Sequence, residues 1–419
     1  MSQSTLSKKL ASVKPGTLFA GVDLALDRNV AVVMDEQARR RDRFRFNNDA
    51  EGYKYFHRRL RKVKEQYQAP AVLVGMEPTN YFWKLLASDL EARQVAYRLV
   101  NPYTVKKHRE GDQLDRSKDD PRDAFVIADL MRTAKYTETR LLHGQYAELR
   151  QYVTLRERLR GDIRRQKSLV TNIAGQLFPE VRREFKDLSG QTALAMLSSH
   201  AAAAVIRELP LDVFLNDVRS VFQGRRLMVS KLRRVHAFAD ISVGLRDGIQ
   251  ALQLALDQHI ETLQHLQRQL TQVEEVLTEV FLALPEAEYM LSVHGLGIIS
   301  AAIILSEIGD PSHYSAGPQL IKLAGTQPVP SESGRKSRSK TPMSHKGRPR
   351  LRTALFFAVM RLVRLDDAFA RRYQHLVTRD KNPLCKLQAL GALMNKLLRV
   401  LWALIRQRTF YVPDFQRAA

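Results

Sequence analysis

Four acidic residues, Asp23, Glu77, Asp120 and Asp123, stand in the first third of a chain whose charge is otherwise strongly positive. Carboxylates are the donors a hard cation such as Mg²⁺ selects, because it takes oxygen ligands in near-octahedral geometry. Two such ions about 3.5–4 Å apart activate an attacking oxygen and stabilise a leaving one in phosphodiester chemistry. Local negative charge to hold metal, inside a larger positive field to hold a polyanion, is the combination that reaction needs.

Each carboxylate has a local setting. Asp23 lies in FAGVDLA, a run apolar enough to be a central strand, where an uncompensated carboxylate carries a heavy desolvation penalty that a bound divalent cation removes. Glu77 follows AVLVGM at the carboxyl end of another expected strand, which Pro78 stops. Asp120 reads as a helix cap with Pro121 at the first helical position, and a spacing of three puts Asp123 on the same face. Taken singly, Asp120 is equally a plain cap, Asp123 a first-turn charge favoured by the helix dipole and Glu77 an exposed strand end. Asp27 and Asp119 compete for the same roles, and spacing does not exclude them.

The elements that must position these groups follow from periodicity. TLFAGVDLA, NVAVVMD and RDRFRFN are short β-prone runs separated by one or two polar residues, the pattern of an antiparallel meander. AEGYKYFHRRLRKVKEQY then reads as helix, AVLVGME as a buried strand, YFWKLLASDLEARQ as helix and VAYRLV as strand. That order is the order of a ribonuclease H-like α/β fold, and other mixed sheets share it. From about residue 145 strand signals vanish. Leu149, Tyr152, Leu159, Ile163, Val170, Ile173 and Leu177 recur at near-heptad spacing, interrupted by Arg156 and Gln166. Ile249, Leu252, Leu256, His259, Leu263, Leu266, Leu270, Val273, Leu277, Val280 and Leu284 alternate by three and four, the mark of a coiled coil. Its partner is the 145–177 helix folding back or the same helix of another protomer, and His259 reads as a register-setting polar residue. The expected division is an α/β domain over 1–140, a helical and coiled-coil region over 141–286 and a mostly helical domain over 287–419.

In that last part YMLSVHGLGIISAAIILSEIGD resembles a helix-hairpin-helix, with Gly295 and Gly297 letting backbone N–H groups approach a phosphate; a tight turn without a ligand has the same composition. Pro328 to Arg352 holds Arg335, Lys336, Arg338, Lys340, Lys346, Arg348, Arg350 and Arg352 among Ser, Gly and Pro, and reads as a flexible basic loop. Like charges so concentrated repel unless something neutralises them, which points to phosphate. His345 in this loop reads as a phosphate contact.

The bulk numbers agree. A chain of 419 residues exceeds what one hydrophobic core serves, so two or three domains are expected. Lys plus Arg number 67 against 44 for Asp plus Glu, a net charge of +23 that calls for a polyanionic partner. The N-terminal MSQSTLSKKLASVKPG lacks an apolar core, and the longest uncharged run, about 188–206, is broken by Ser, Thr, Gln and His, which argues against a membrane span. The one cysteine, Cys385, fits a reducing cytoplasm and reads as a buried small side chain.

GVDLA, GMEPTNYFW, SKDDPRDAFVIADL, LSVHGLGIISAAIILSEIG, LAGTQPVPSESG and SHKGRPRLRTALFFA, in this order, resemble the IS-one-ten type of insertion-sequence transposase, whose relatives include bridge-RNA-guided recombinases and Piv-like DNA invertases. The resemblance implies an N-terminal RuvC-like domain in which Asp23, Glu77, Asp120 and Asp123 take the places of four metal ligands for Mg²⁺, and a C-terminal domain in which Ser333 takes the place of a serine that attacks DNA and forms a phosphoserine link. Lys118, Asp119, Asp120 stands where Lys-Thr-Asp is usual, so an extra carboxylate competes for the third ligand. DNA as substrate, a structured non-coding guide RNA and a dimer or tetramer are implied as partners. The basic helix bearing Arg150, Arg156, Arg158, Arg160, Arg164, Arg165 and Lys167 suits such an RNA. Two rivals remain: a RuvC-like nuclease that uses water as nucleophile, and a non-catalytic RNA-binding scaffold.

Overall fold

Period-two alternation at the front of the chain produces the antiparallel ribbon it predicts. Strands β1 (Leu18–Asp23), β2 (Arg28–Met34) and β3 (Arg40–Asn47) pair in sequence order, Phe19 opposite Met34 and Ala31 opposite Phe44. This is a computed structural model, and it describes residues 9–112, 120–137, 141–329, 332–333, 336–337 and 342–413. The described residues form two compact units, Met1–Leu142 and His143–Ala419. The boundary expected at 286/287 falls inside the second.

The first unit continues with helix α1 (Ala50–Gln66), strand β4 (Val72–Met76), α2 (Phe82–Ala92), β5 (Tyr97–Leu99), α3 (Pro102–Asp112) and α4 (Asp120–Arg132). Its sheet order is β3-β2-β1-β4-β5, with β4 parallel to β1 and β5 parallel to β4. Alternation sorts β1 between two faces. Leu18, Ala20 and Val22 join the core built with Phe56, Leu60, Leu86 and Leu90 of α1 and α2, while Phe19 joins Val105, Ile127, Leu130 and Met131 of α3 and α4. Helix α1 starts where the Asp49 carboxylate accepts the Gly52 N–H, and its buried Phe56, Leu60 and Val63 follow the helical period.

Among the described residues the second unit is helical apart from one small hairpin. Two 34-residue helices, α5 (Gly144–Leu177) and α11 (Ile249–Leu282), run antiparallel, shown by Arg156 meeting Glu274 at 2.7 Å and Gln166 meeting His259 at 3.0 Å. Between them in sequence lie the short α6 (Val181–Glu184), α7 (Gln191–Ser199), α8 (Ala203–Glu208), α9 (Leu211–Val221) and α10 (Val229–Ala239). These pack with Val170, Leu177, Leu256 and Leu263 into one core. At the other end of the pair, Leu149, Val153, Leu277 and Phe281 join a separate core with α12 (Glu286–Leu291), α13 (Ile298–Ile308), α14 (Gly317–Ala324), α15 (Pro349–Leu365), α16 (Asp367–Thr378) and α17 (Lys386–Gln407).

The seam differs from its sequence pattern. Leu256, Leu263, Leu277 and Leu284 are buried as expected, Ile260 joins them, and Leu266, Leu270 and Val273 are only half-buried. Leu266 and Leu270 pack only partly buried at the margin of one core. His259 meets Gln166, the residue that interrupts the facing seam. Cys385 is exposed at the N-terminus of α17, not buried. Helix α17 has the length and apolarity of a membrane span, but its Leu393, Leu397, Leu398 and Leu401 lie in the second unit's core.

Candidate functional site

Asp23 and Glu77 leave two neighbouring parallel strands at the same level. The register pairs Gly21 with Gly75 and Val22 with Met76, so the next residue on each strand is the carboxylate. Both glycines face α4. A Cβ on Gly21 would lie 2.1 Å from the Ala124 carbonyl oxygen and 2.4 Å from the Ala128 nitrogen, and one on Gly75 would lie 2.2 Å from Met131 Cγ. Alternation puts Asp23 and Glu77, two residues beyond, on that same face. Ala124 also packs with Val30 and Val32, and Val30 is the ladder partner of Asp23. The first turn of α4, with Asp120 and Asp123, therefore overlies the edge where Asp23 emerges, and the helix lies so close because Gly21 has no side chain.

Asp23 is half-buried at the end of a strand whose other residues are buried, so its desolvation cost is smaller than its apolar sequence setting implies. Glu77 and Asp123 are half-buried too. The backbone of Asp120 opens α4, its side chain is not described, and Asp119 lies outside the described residues. Among the described residues no three Asp, Glu, His or Cys side chains close into a metal-holding group. The donor chemistry still fits a hard cation: oxygen ligands only, half-buried at the carboxyl ends of two adjacent strands and on the helix above them. Asp27 is exposed in the β1–β2 turn, where its carbonyl accepts the Asn48 N–H.

Ser333 lies on a β-hairpin where the composition suggested a flexible loop. The Val329 N–H donates to the Pro342 carbonyl and the Ser344 N–H to that of Gln327; β6 (Glu332–Ser333) pairs with β7 (Lys336–Ser337). In that pairing Ser333 stands opposite Lys336. Pro349 onward is helix, so Arg350 and Arg352 belong to α15.

Several cations expected to face phosphate make contacts within the second unit. Arg150 is half-buried, its pKa pushed down to about 10 by desolvation, and it donates to the Ser306 and Glu307 carbonyls. Arg348 also donates to the Glu307 carbonyl, and Arg348 and Arg350 stand 3.7 and 4.0 Å from the Glu307 carboxylate, which is 7% exposed. Arg350 donates to Thr154 Oγ1, and Arg352 to the Ala324 and His345 carbonyls. Arg156 is buried between Glu274 and Glu157. Like charges were expected to repel until phosphate arrived; at Arg348 and Arg350 the Glu307 carboxylate, distant in sequence, offsets part of that charge. Arg164 and Lys346 remain exposed, as does His345, while Arg160 is half-exposed beside Glu157 at 3.7 Å. Lys336 is described only as backbone; Arg335, Arg338 and Lys340 lie outside the described residues.

Gly295 turns the chain between α12 and α13 at φ 89°, which a side chain rarely adopts. Gly297 caps α13 without a side-chain hydrogen bond, and the Arg361 guanidinium stands 3.1 Å from where its Cβ would be.

Comparison with known proteins adds to this geometry. Residues 20–179 match the DEDD transposase family of IS110, described as Transposase, and residues 287–374 match the Transposase IS116/IS110/IS902 family. The insertion element IS110 43.6 kDa protein of Streptomyces coelicolor is 24% identical over 298 residues, covering 70% of this chain and 72% of the relative. The insertion element IS900 42 kDa protein of Mycobacterium paratuberculosis is 26% identical over 327 residues, covering 77% and 79%. A pilin gene-inverting protein of Moraxella lacunata is 28% identical over 152 residues, 35% of this chain and 46% of its own. With both family domains present in order, one over the carboxylate edge and one over the serine hairpin, the chain belongs to the IS110/IS116 family of insertion-sequence transposases.

Proposed function

We propose that this transposase is a recombinase that cuts and rejoins DNA through a serine-linked intermediate, with a RuvC-like first unit. The observation that carries the reading is the register placing Asp23 and Glu77 at the ends of adjacent parallel strands, under a helix that opens with Asp120 and Asp123. The sheet order β3-β2-β1-β4-β5, antiparallel on one side of β1 and parallel on the other, supports a ribonuclease H-like fold.

Asp23, Glu77, Asp120 and Asp123 would hold a pair of Mg²⁺ ions, which would supply Lewis-acid polarisation of a phosphoryl oxygen and a lower pKa for the attacking hydroxyl. Ser333 Oγ attacks the scissile phosphorus as its proton leaves. A P–Oγ bond forms, the P–O bond to one sugar oxygen breaks, and that oxygen takes up a proton. The phosphoserine diester keeps the bond count, so attack by a second sugar hydroxyl rejoins DNA and frees Ser333. The composite site needs carboxylates and serine around one phosphate, within one chain or between protomers of a dimer or tetramer. Exposed Arg164 and Lys346, with the Gly295–Gly297 turn, are the cationic and N–H groups that would meet nucleic acid. A structured guide RNA would select the target by base pairing, leaving the protein to read shape and backbone.

The test incubates the purified protein, its co-purifying RNA and candidate DNA with Mg²⁺ and looks for denaturation-resistant protein–DNA adducts. Adducts that vanish in Ser333→Ala and on chelation support the reading. Cutting that persists in Ser333→Ala assigns water as the nucleophile, and full activity in Asp23→Asn assigns a scaffold.

A further inference from the structure

We propose that one face of α17, carrying Gly391 and Asn395, is the seat that fixes the pose of the Ser333 hairpin, with Asn395 as a positioning residue. The functional meaning of the seat rests on Ser333 being the nucleophile, while its mechanical role does not.

The hairpin leaves the body of the second unit at Thr326, which is 2% exposed. Thr326 Oγ1 donates to Asn395 Oδ1 at 2.5 Å, and Asn395 Nδ2 donates back to the Thr326 carbonyl at 3.2 Å. One amide thus grips both the side chain and the backbone of the residue where the hairpin begins. One turn earlier on the same helix face, a Cβ on Gly391 would lie 2.4 Å from Met343 Cε. Met343 is the residue on the returning strand that bridges Pro328 on the outgoing one. Asn395 therefore holds the outgoing strand and Gly391 leaves room for the returning one. Glycine is the poorest helix former after proline, so its place inside a 22-residue helix has a packing reason here.

The rest of the foot is equally close. Gly325 takes φ 67°, and a Cβ on Gly347 would lie 2.3 Å from the Gly325 nitrogen, so the two chains touch backbone to backbone. The His345 N–H donates to the Gly325 carbonyl at 3.0 Å. From Thr326 to Ser333 is a reach of at most about 25 Å for about seven extended residues. A tilt of about 5° at such a foot moves the tip by about 2 Å, and a misplacement of about 1 Å costs a reaction about 10²-fold. Pose at the foot therefore governs reactivity at the tip.

A purely structural role for Asn395, satisfying a buried threonine, predicts loss of stability whenever the pair is broken. The seat makes a different prediction for Gly391→Ala. That change favours the helix, so the thermal midpoint holds or rises, yet the new methyl turns the end of Met343 out of its place against α17 and loosens the hold on the returning strand. In the full chain with its co-purifying RNA, Gly391→Ala and Asn395→Ala should speed amide exchange at Val329, Ser344 and His345 roughly tenfold, a hydrogen bond's worth of protection, while α13 and α15 amides keep their rates. Adduct formation should fall by about 10²-fold at unchanged DNA affinity. Thr326→Ser, which keeps the hydroxyl, should stay close to the parent in both. Unchanged hairpin exchange in Gly391→Ala and Asn395→Ala, or acceleration shared by the whole second unit, would overturn the seat. If Ser333→Ala still forms adducts, the nucleophile reading fails, and the exchange rates still decide the seat by themselves.

Discussion

The carboxylate edge of the first unit and the serine hairpin of the second hold their chemistry in opposite ways. Asp23 and Glu77 stand on strands laddered into the middle of a five-stranded sheet, with a helix backbone pressed against the glycine two residues before Asp23. Ser333 stands at the far end of two short antiparallel strands gripped at the foot. The first arrangement fixes the backbones that carry its groups in register with each other; the second extends one group away from its support. The roles proposed for them match: ligands for a cation need the former, and a nucleophile that must find a phosphate on another molecule needs the latter.

The glycines on the two sides sharpen this contrast. A methyl on Gly21 meets the Ala124 carbonyl, which is backbone, whereas one on Gly391 meets the mobile end of Met343.

The largest expected effect is at the carboxylates. Asp23→Asn should lower Mg²⁺-dependent strand cleavage by at least about 10³-fold, about 4 kcal/mol of barrier, without unfolding the sheet. A loss under tenfold in a gel-based cleavage assay would break the comparison, because the rigid edge would then hold nothing essential. Gly21→Ala comes next, at about 3 kcal/mol of stability for overpacking against a helix backbone, read as a lower denaturant midpoint for the first unit. If its midpoint matches the parent's, the edge is softer than the hairpin foot and the contrast inverts.

Glu307→Gln should cost about 2 kcal/mol, since it leaves half-buried Arg150, with Arg348 and Arg350, short of a counter-charge; thermal melting of the second unit measures it. The smallest effect concerns Asp35. Burial pushes its carboxyl up, but the Arg39 backbone N–H and the Arg39 and Arg41 guanidiniums outweigh burial and hold it below its ordinary value. Its folded pKa is thus below its unfolded one, so its contribution is present above about pH 4 and is lost as the pH falls through the folded value. Asp35→Asn should flatten that part of the acid-unfolding curve, and an unaltered slope would remove Asp35 from the account.

Much of the first unit was legible because its signals are local. Alternation in FAGVDLA and NVAVVMD, the stop at Pro78 and the helical period of AEGYKYFHRRLRKVKEQY each depend on neighbours within a few residues, and the strands and helices lie where they indicate. The convergence of Asp23, Glu77 and the first turn of α4 was legible as a set of candidates, but its cause was not: Gly21 is a small residue in an apolar run until the helix above it is known. The second unit concealed more. A stretch rich in Pro, Gly, Ser and Arg gives no strand signal, and the hairpin there is made by backbone rungs that any side chains permit. Arg348 and Arg350 looked unneutralised because Glu307 is distant in sequence. Arg156 looked like a surface cation on a basic helix because its partner Glu274 comes from a helix more than a hundred residues on. The one sequence sign of the seat was Gly391 inside an otherwise strong helical pattern.

The Arg156–Glu274 pair also separates two hydrophobic assemblies that share the same long helices. Leu149, Val153, Leu277 and Phe281 serve one, Ile163, Val170, Leu256 and Leu263 the other, and no apolar side chain belongs to both lists. Cooperativity travels through shared burial, so gradual heating would dismantle these assemblies in two stages, the helices fraying from one end while the opposite end stays intact.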